Sequence, residues 1–304
     1  MSTTNSYRHY NLPIVYPYIA FFGDNWIVSK NVHTPRHFHN CIELGYCKTG
    51  SGTLLVEDHT FTFHAGDFAL IPENMAHKSQ AATTESSWEY IYFDPYLLLQ
   101  DTLSANVLHQ ILANLPTHFG IIQENSDSEL HVLMGKIFAE LHQKDMYYQD
   151  SLKGLFLALI MLLVRNDRLH HSVNSDFQWL YSAISYIREN YHNKLAITEI
   201  ANDCCAMSES HFRKKFRETM HIGPLDYINH LRIRIACQAI YKNQKPINEI
   251  AQDVGFTTLS SFNRNFHALL GCSPSEWRKE QLTEKHIIEI RTLDEEAVQD
   301  VFVL

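Results

Sequence analysis

No stretch of this 304-residue sequence stays apolar for long enough to cross a bilayer. The longest apolar run, Leu155 to Val164, lies between Lys153 and Arg165 and falls well short of the about 20 residues a spanning helix needs. It reads as a buried helix. No secretory leader is expected either, because Met1 to Asn11 is polar and has no apolar core. The six cysteines show no CxxC spacing, and without a secretory context they read as reduced thiols of a cytoplasmic protein. Cys204, Cys205 and Cys237 fall in helical stretches, where packing is the default role. Glycine and proline are sparse, at 11 and 9, and 45% of residues are hydrophobic, which excludes fibrous and disordered classes. The length suffices for two domains, each with its own core.

Positive charge is also scarce overall, with a net charge of −9. The deficit is uneven. Residues 179–282 carry 13 Lys+Arg against 10 Asp+Glu, while the rest of the chain carries 12 against 24. A nucleic-acid partner would meet only the C-terminal half.

What is present is a repeat. Residues 197–227 and 247–277 are two copies of one pattern, offset by 50 positions. Ile197, Ile200 and Ala201 recur as Ile247, Ile250 and Ala251, and Phe212 and Phe216 recur as Phe262 and Phe266. Each copy reads as a short helix, a turn and a second helix, the arrangement that sets one helix in the DNA major groove. Ile247, Ile250 and Ala251 share one helix face, Gly255 supplies a turn residue with positive φ, and Phe262 with Phe266 forms the inner stripe of the second helix. That leaves Ser260, Ser261, Asn263 and Arg264 outside in one copy, and Ser210, Arg213, Lys214 and Arg217 in the other. Arg and Asn are the side chains that grip guanine and adenine edges. The bland alternative is an α-hairpin bundle with solvated basic residues, and two aligned copies argue against it. Between the copies, Pro224 to Lys242 reads as one helix with Leu225, Ile228, Leu231, Ile235 and Ala239 inside. A rod of about 28 Å could hold two reading helices near one DNA turn apart.

The run Ile247-x2-Ile250-Ala251-x3-Gly255-Phe256-x5-Phe262-x3-Phe266-x4-Gly271-x-Ser273-Pro274-x2-Trp277-Arg278 resembles the hallmark of AraC/XylS-type transcription regulators. The likeness covers about 100 residues and implies that the eight exposed positions enter successive major grooves of double-stranded DNA. Cys205 and His221 depart from it, standing where the second copy has Gly255 and Gly271.

Residues 12–100 read as strands, with turn signals at Gly23-Asp24, Thr49-Gly50-Ser51-Gly52, His64-Ala65-Gly66-Asp67 and Pro72-Glu73-Asn74. A small antiparallel barrel or sandwich follows. From about 101 to 168 the period is helical, with Leu130, Leu133, Met134, Ile137 and Leu141 along one stripe. His37-x-His39-x3-Glu43-x6-Gly50 and Gly66-x5-Pro72-x-Asn74-x2-His77 resemble the two cupin motifs, with Asn31 and Asn74 where glycine is usual. In metal-binding cupins the residues matching His37, His39, Glu43 and His77 form a three-histidine, one-carboxylate site. Three roles stay open for this cluster: a pocket for a small organic effector, a centre for a divalent metal, and satisfied barrel histidines. Trp88, Tyr90 and Tyr92 share a strand face. Core packing is the commoner role for such a row, but Trp88 and Tyr90 join the effector candidates because aromatic faces stack on sugar rings.

The expected architecture is an α+β two-domain chain. A cupin-like antiparallel β-barrel with flanking helices (1–169) and a linker (170–178) precede an all-α domain of two helix-turn-helix modules on a long helix (179–282), then a tail of unassigned role (283–304). The expected function is sequence-specific DNA binding by a regulator, an activator by the family's leaning, with no catalytic residues. Its expected partners are DNA, a small-molecule effector with carbohydrate as candidate class, RNA polymerase, and a second copy docked through a helix at 126–145 or 151–165; no membrane is expected. No resident cofactor is expected beyond the candidate divalent metal. The rival class is a metal-dependent cupin oxygenase or isomerase with a DNA-binding appendage.

Overall fold

The computed structural model describes residues 6–31, 35–124, 129–166, 169–171, 178–242 and 245–282. The chain divides into two compact units, built on Tyr16–Ser175 and Asp176–Glu289, with Met1–Leu12 grouped with the first and Pro13–Val15 with the second. Most of the expected linker (172–177) and the whole tail (283–304) lie outside the described residues.

The first unit opens with β1 (Ser6–Arg8), β2 (Tyr18–Phe21), β3 (Ile27–Ser29), β4 (His37–His39), β5 (Ile42–Thr49) and β6 (Ser51–Val56). It continues with β7 (His59–His64), β8 (Phe68–Ile71), β9 (His77–Ala81) and β10 (Glu85–Phe93). Helices α1 (Pro95–Leu99) and α2 (Ala105–Asn114), strand β11 (Gly120–Ile122), and helices α3 (Glu129–Gln143) and α4 (Tyr148–Leu163) complete it. Thus α1 interrupts the span read as strands, and β11 interrupts the span read as helical. Pro95 starts α1 behind the Asp94 cap, and β11 pairs with β8. Both are too short for periodicity to register.

One sheet runs β1-β4-β9-β6-β7 and the other β11-β8-β5-β10-β2, with β3 added to β10. The pairings are antiparallel except that β1 runs parallel to β4, a departure from the all-antiparallel expectation. The inner faces meet through aromatics: Phe63 of β7 lies edge-on to Trp88 of β10, ring centroids 4.7 Å apart. Gly45 of β5 makes room for this row, since a Cβ there would stand 3.2 Å from the rings of Trp88 and Tyr90. On the outside, Phe138 of α3 packs on Phe68 at 5.5 Å, and Phe156 of α4 on Phe93 at 4.5 Å. The buried stripe of α3 is Leu130, Met134, Ile137, Phe138 and Leu141, with Leu133 only half-buried.

The second unit is helical: α5 (Gln178–Asn190), α6 (Ile197–Glu199), α7 (Glu209–Met220), α8 (Pro224–Tyr241), α9 (Ile247–Asp253), α10 (Leu259–Leu270) and α11 (Pro274–Leu282). The two short helices of the repeat differ. In the second copy, Gly255 makes the turn at φ +92°. In the first, Cys205 sits at φ −124°, α6 widens into a π-turn over Ile200–Cys204, and Ala206 takes the positive φ of 50° one position later. A side chain with a Cβ is costly at a left-handed position, and the wider turn relocates that cost rather than removing it. Helix α8 buries Ile228, Leu231, Ile233, Ile235, Ala236, Cys237 and Ile240. Leu225, expected inside, is 49% exposed, and Ala239 is half-buried. The inner stripe therefore begins after the first turn of α8.

Candidate nucleic-acid interface and barrel site

In the second unit the second helix of each copy is capped by its own sequence. Ser208 Oγ accepts from His211 N ahead of α7, and Thr258 Oγ1 accepts from Ser261 N ahead of α10. Phe212, Phe216, Phe262 and Phe266 are fully buried, so each helix has one fixed inner stripe and its opposite face is set by the 3.6-residue period. Ser210, Arg213, Lys214 and Arg217 on α7 are exposed, as are Ser260, Asn263 and Arg264 on α10. Ser261 is the exception, half-buried where its own backbone is tied up by Thr258 and Asn265. The two faces differ electrostatically. On α7, Arg213 Nε lies 2.7 Å from Glu209, which also accepts from Thr198, and Lys214 lies 3.8 Å from Glu218. Arg264 on α10 has no ion-pair partner among the described residues, so its guanidinium is available to a base edge or phosphate. A groove of about 570 Å³ runs beside α7, lined by Arg213, Lys214, Arg217 and the start of α8.

In the first unit the four residues of the cupin-like pattern come together. The β4–β9 register sets His37 opposite His77, ring centroids 4.2 Å apart. His39 Nε2 lies 3.0 Å and His77 Nε2 3.5 Å from the same oxygen, Glu43 Oε2. Asn74, in a glycine's usual place, adopts φ +61°, a left-handed conformation that asparagine tolerates better than most residues. The outer nitrogens are also fixed, since His39 Nδ1 is 2.8 Å from Cys41 O and His77 Nδ1 is 2.8 Å from Met75 O. A carbonyl only accepts, so Nδ1 carries a proton on each ring, and each ring turns its Nε2 toward the Glu43 carboxylate.

The ionisation states sharpen this. Burial pushes the His39 pKa down despite Glu43, and burial with His77 nearby pushes His37 down. Burial works to raise Glu43, yet the His39 and His77 rings beside it prevail and hold its carboxyl well below the usual range. The result is a buried carboxylate faced by imidazole nitrogens, with His37 Nδ1 buried and without a hydrogen-bond partner among the described residues. Imidazole nitrogens gathered around a buried carboxylate suit a cation or a bound proton donor. Ligand atoms of His37, Glu43 and His77 lie within 4.8 Å of one another, and an ion with bonds of about 2.0–2.2 Å would draw its donors to within about 4.4 Å. The residues fit a divalent ion.

Around the cluster stand Tyr10, Tyr90 and Tyr92. Tyr10 stacks on Tyr92 with centroids 4.2 Å apart and meets His39 edge-on at 5.7 Å. Tyr90 is half-buried, while Trp88 is 1% exposed, its Nε1 donating to Ser86 Oγ. Tyr10 escaped the sequence reading because it lies in a loop, where no period marks its direction.

Residues 26–172 match the family described as an AraC-like ligand binding domain, and residues 192–280 match a helix-turn-helix domain family. The "Probable transcriptional regulator LumQ" of Photobacterium leiognathi is 25% identical over 252 residues, spanning 76% of this chain and 97% of the relative. The MmsAB operon regulatory protein of Pseudomonas aeruginosa is 25% identical over 258 residues, 83% of this chain and 79% of its own. The Msm operon regulatory protein of Streptococcus mutans serotype c is 24% identical over 233 residues, 76% and 81% of the two chains. With an AraC-like ligand-binding domain ahead of a helix-turn-helix domain, the chain belongs to the AraC family of transcription regulators.

Proposed function

We propose that this regulator activates transcription by reading paired half-sites with α7 and α10, and that its signal is a small molecule held at the His37, His39, Glu43 and His77 cluster. The observation that carries the sensing half is the convergence of His39 and His77 on one buried carboxylate oxygen, beside the His37 Nδ1 that has no hydrogen-bond partner among the described residues. Tyr90 and Trp88 are the aromatic wall of this reading, and carbohydrates are its first effector class. Binding at the cluster shifts the population competent for DNA, as linkage between two sites requires. A second copy docking through α3 and α4 accords with exposed Val132, Met146 and Tyr147, and RNA polymerase is the further partner of an activator. The chain acts in the cytoplasm and without catalysis.

A second reading is favoured by the donor set itself: a divalent ion on Glu43, His37 and His77 with His39 beside them. Such an ion would supply a Lewis-acidic anchor for an oxygen-rich effector. Thermal-shift screening against sugars, organic acids and divalent metals separates the readings, because a ligand of the folded state raises the midpoint by mass action. A sugar that raises it in metal-free protein supports the first reading, and a metal requirement supports the second. Stoichiometric metal with substrate turnover, and DNA binding indifferent to every small molecule, would favour an enzyme instead.

A further inference from the structure

Arg232 lies in the middle of α8, on the face a helical pattern reserves for apolar side chains, and is 8% exposed. It has no carboxylate partner among the described residues. Its Nε donates to Tyr191 O at 2.8 Å and its Nη2 to Asn193 O at 2.8 Å, both in the segment between α5 and the first copy. Those carbonyls follow a helix C-terminus, where a cation is favoured. The same guanidinium stands 5.6 Å over the Phe256 ring, in the turn of the second copy. Beside Phe256, Gly255 rests on the same segment so closely that a Cβ there would lie 2.6 Å from Tyr191 O and 2.9 Å from His192 O. One buried cation thus joins the end of α5, the shaft of α8 and the turn that launches α10. Burial lowers its pKa, yet a guanidinium stays charged, so the three-way contact persists across the physiological range.

We infer that Arg232 is a positioning residue for paired-site recognition, fixing the distance and rotational phase between α7 and α10 without touching DNA. A planar fork held at both ends resists twisting as well as separation, which a single lysine ammonium or an apolar side chain does not. The inference rests on the paired half-site reading above.

The test uses the full-length chain and duplexes selected from a random pool. Each selected duplex is remade with one half-site scrambled, and with its spacer lengthened by half a turn. In the wild type, two linked modules give a paired-site advantage of about 10²-fold or more, removed by the half-turn insertion. Arg232→Met and Arg232→Lys are expected to bind single half-sites within about twofold of wild type, while the paired-site advantage falls about tenfold and spacer dependence flattens. Should both variants lose single-site and paired-site affinity by one common factor, or melt before binding is measurable, Arg232 is a fold-holding residue and the inference fails. A wild type that ignores spacing would sink the paired reading itself, a result recognisable before any variant is made.

Discussion

At the residue scale, one free guanidinium and one buried thiol give separable expectations. Arg264 is exposed and has no ion-pair partner among the described residues, whereas Arg213 is held by Glu209. Arg264→Ala should cost about 1–3 kcal/mol at one base position of the selected site and little on random duplex, measured by fluorescence anisotropy. Equal losses on both would make it a phosphate contact. Cys47 is fully buried on β5, and burial, helped by Asp67, pushes its pKa up to about 12. A raised pKa means the fold favours the neutral thiol. That contribution is intact below the unfolded value of about 8.5 and drains away as pH climbs toward the folded one. Wild type should therefore lose its stability advantage over Cys47→Ala as pH rises from about 8.5 toward 12 in urea titrations. A constant gap would refute the assignment. Residue identity also explains what was legible here: histidine and glutamate spacing located the barrel cluster, but only the fold showed that the Nδ1 protons of His39 and His77 point away from Glu43.

Among the elements, the turns of the two copies carry the contrast. Gly255 needs φ +92° and has no room for a methyl group, whereas Gly271 needs φ +72° in open space. His221 already fills the place of Gly271 in the first copy, at φ +56°. Gly255→Ala should thus destabilise by about 1–3 kcal/mol through strain, with the clash against Tyr191 O added. Gly271→Asn should cost under about 1 kcal/mol. Chemical denaturation ranks the two, and an inverted order contradicts the packing described. Removing the α10 cap by Thr258→Ala should cost about 1 kcal/mol. The sequence showed both phenylalanine stripes because they are local. It could not show the π-turn at Ile200–Cys204, which arises where the relocated left-handed residue must still deliver α7 to its place.

For the whole molecule, the cluster ties metal or effector occupancy to global stability. If a divalent ion binds at Glu43, zinc at about 100 times its Kd should add about 2.7 kcal/mol to unfolding, and His77→Ala should abolish most of the gain. A gain that survives in His77→Ala would place the ion elsewhere.

The sequence by itself determined the duplicated helical module, its inner and outer faces, the strand-rich first half and the four convergent barrel residues. Each follows from periodicity or motif spacing, which operate over a few turns of chain. Tertiary structure alone decided that β1 runs parallel to β4, that Tyr10 stacks on Tyr92, that Leu225 faces solvent, and that Arg232 bridges segments 41 and 39 residues away. These are contacts between distant parts of the chain, and no local pattern encodes which partner a side chain will meet across a core.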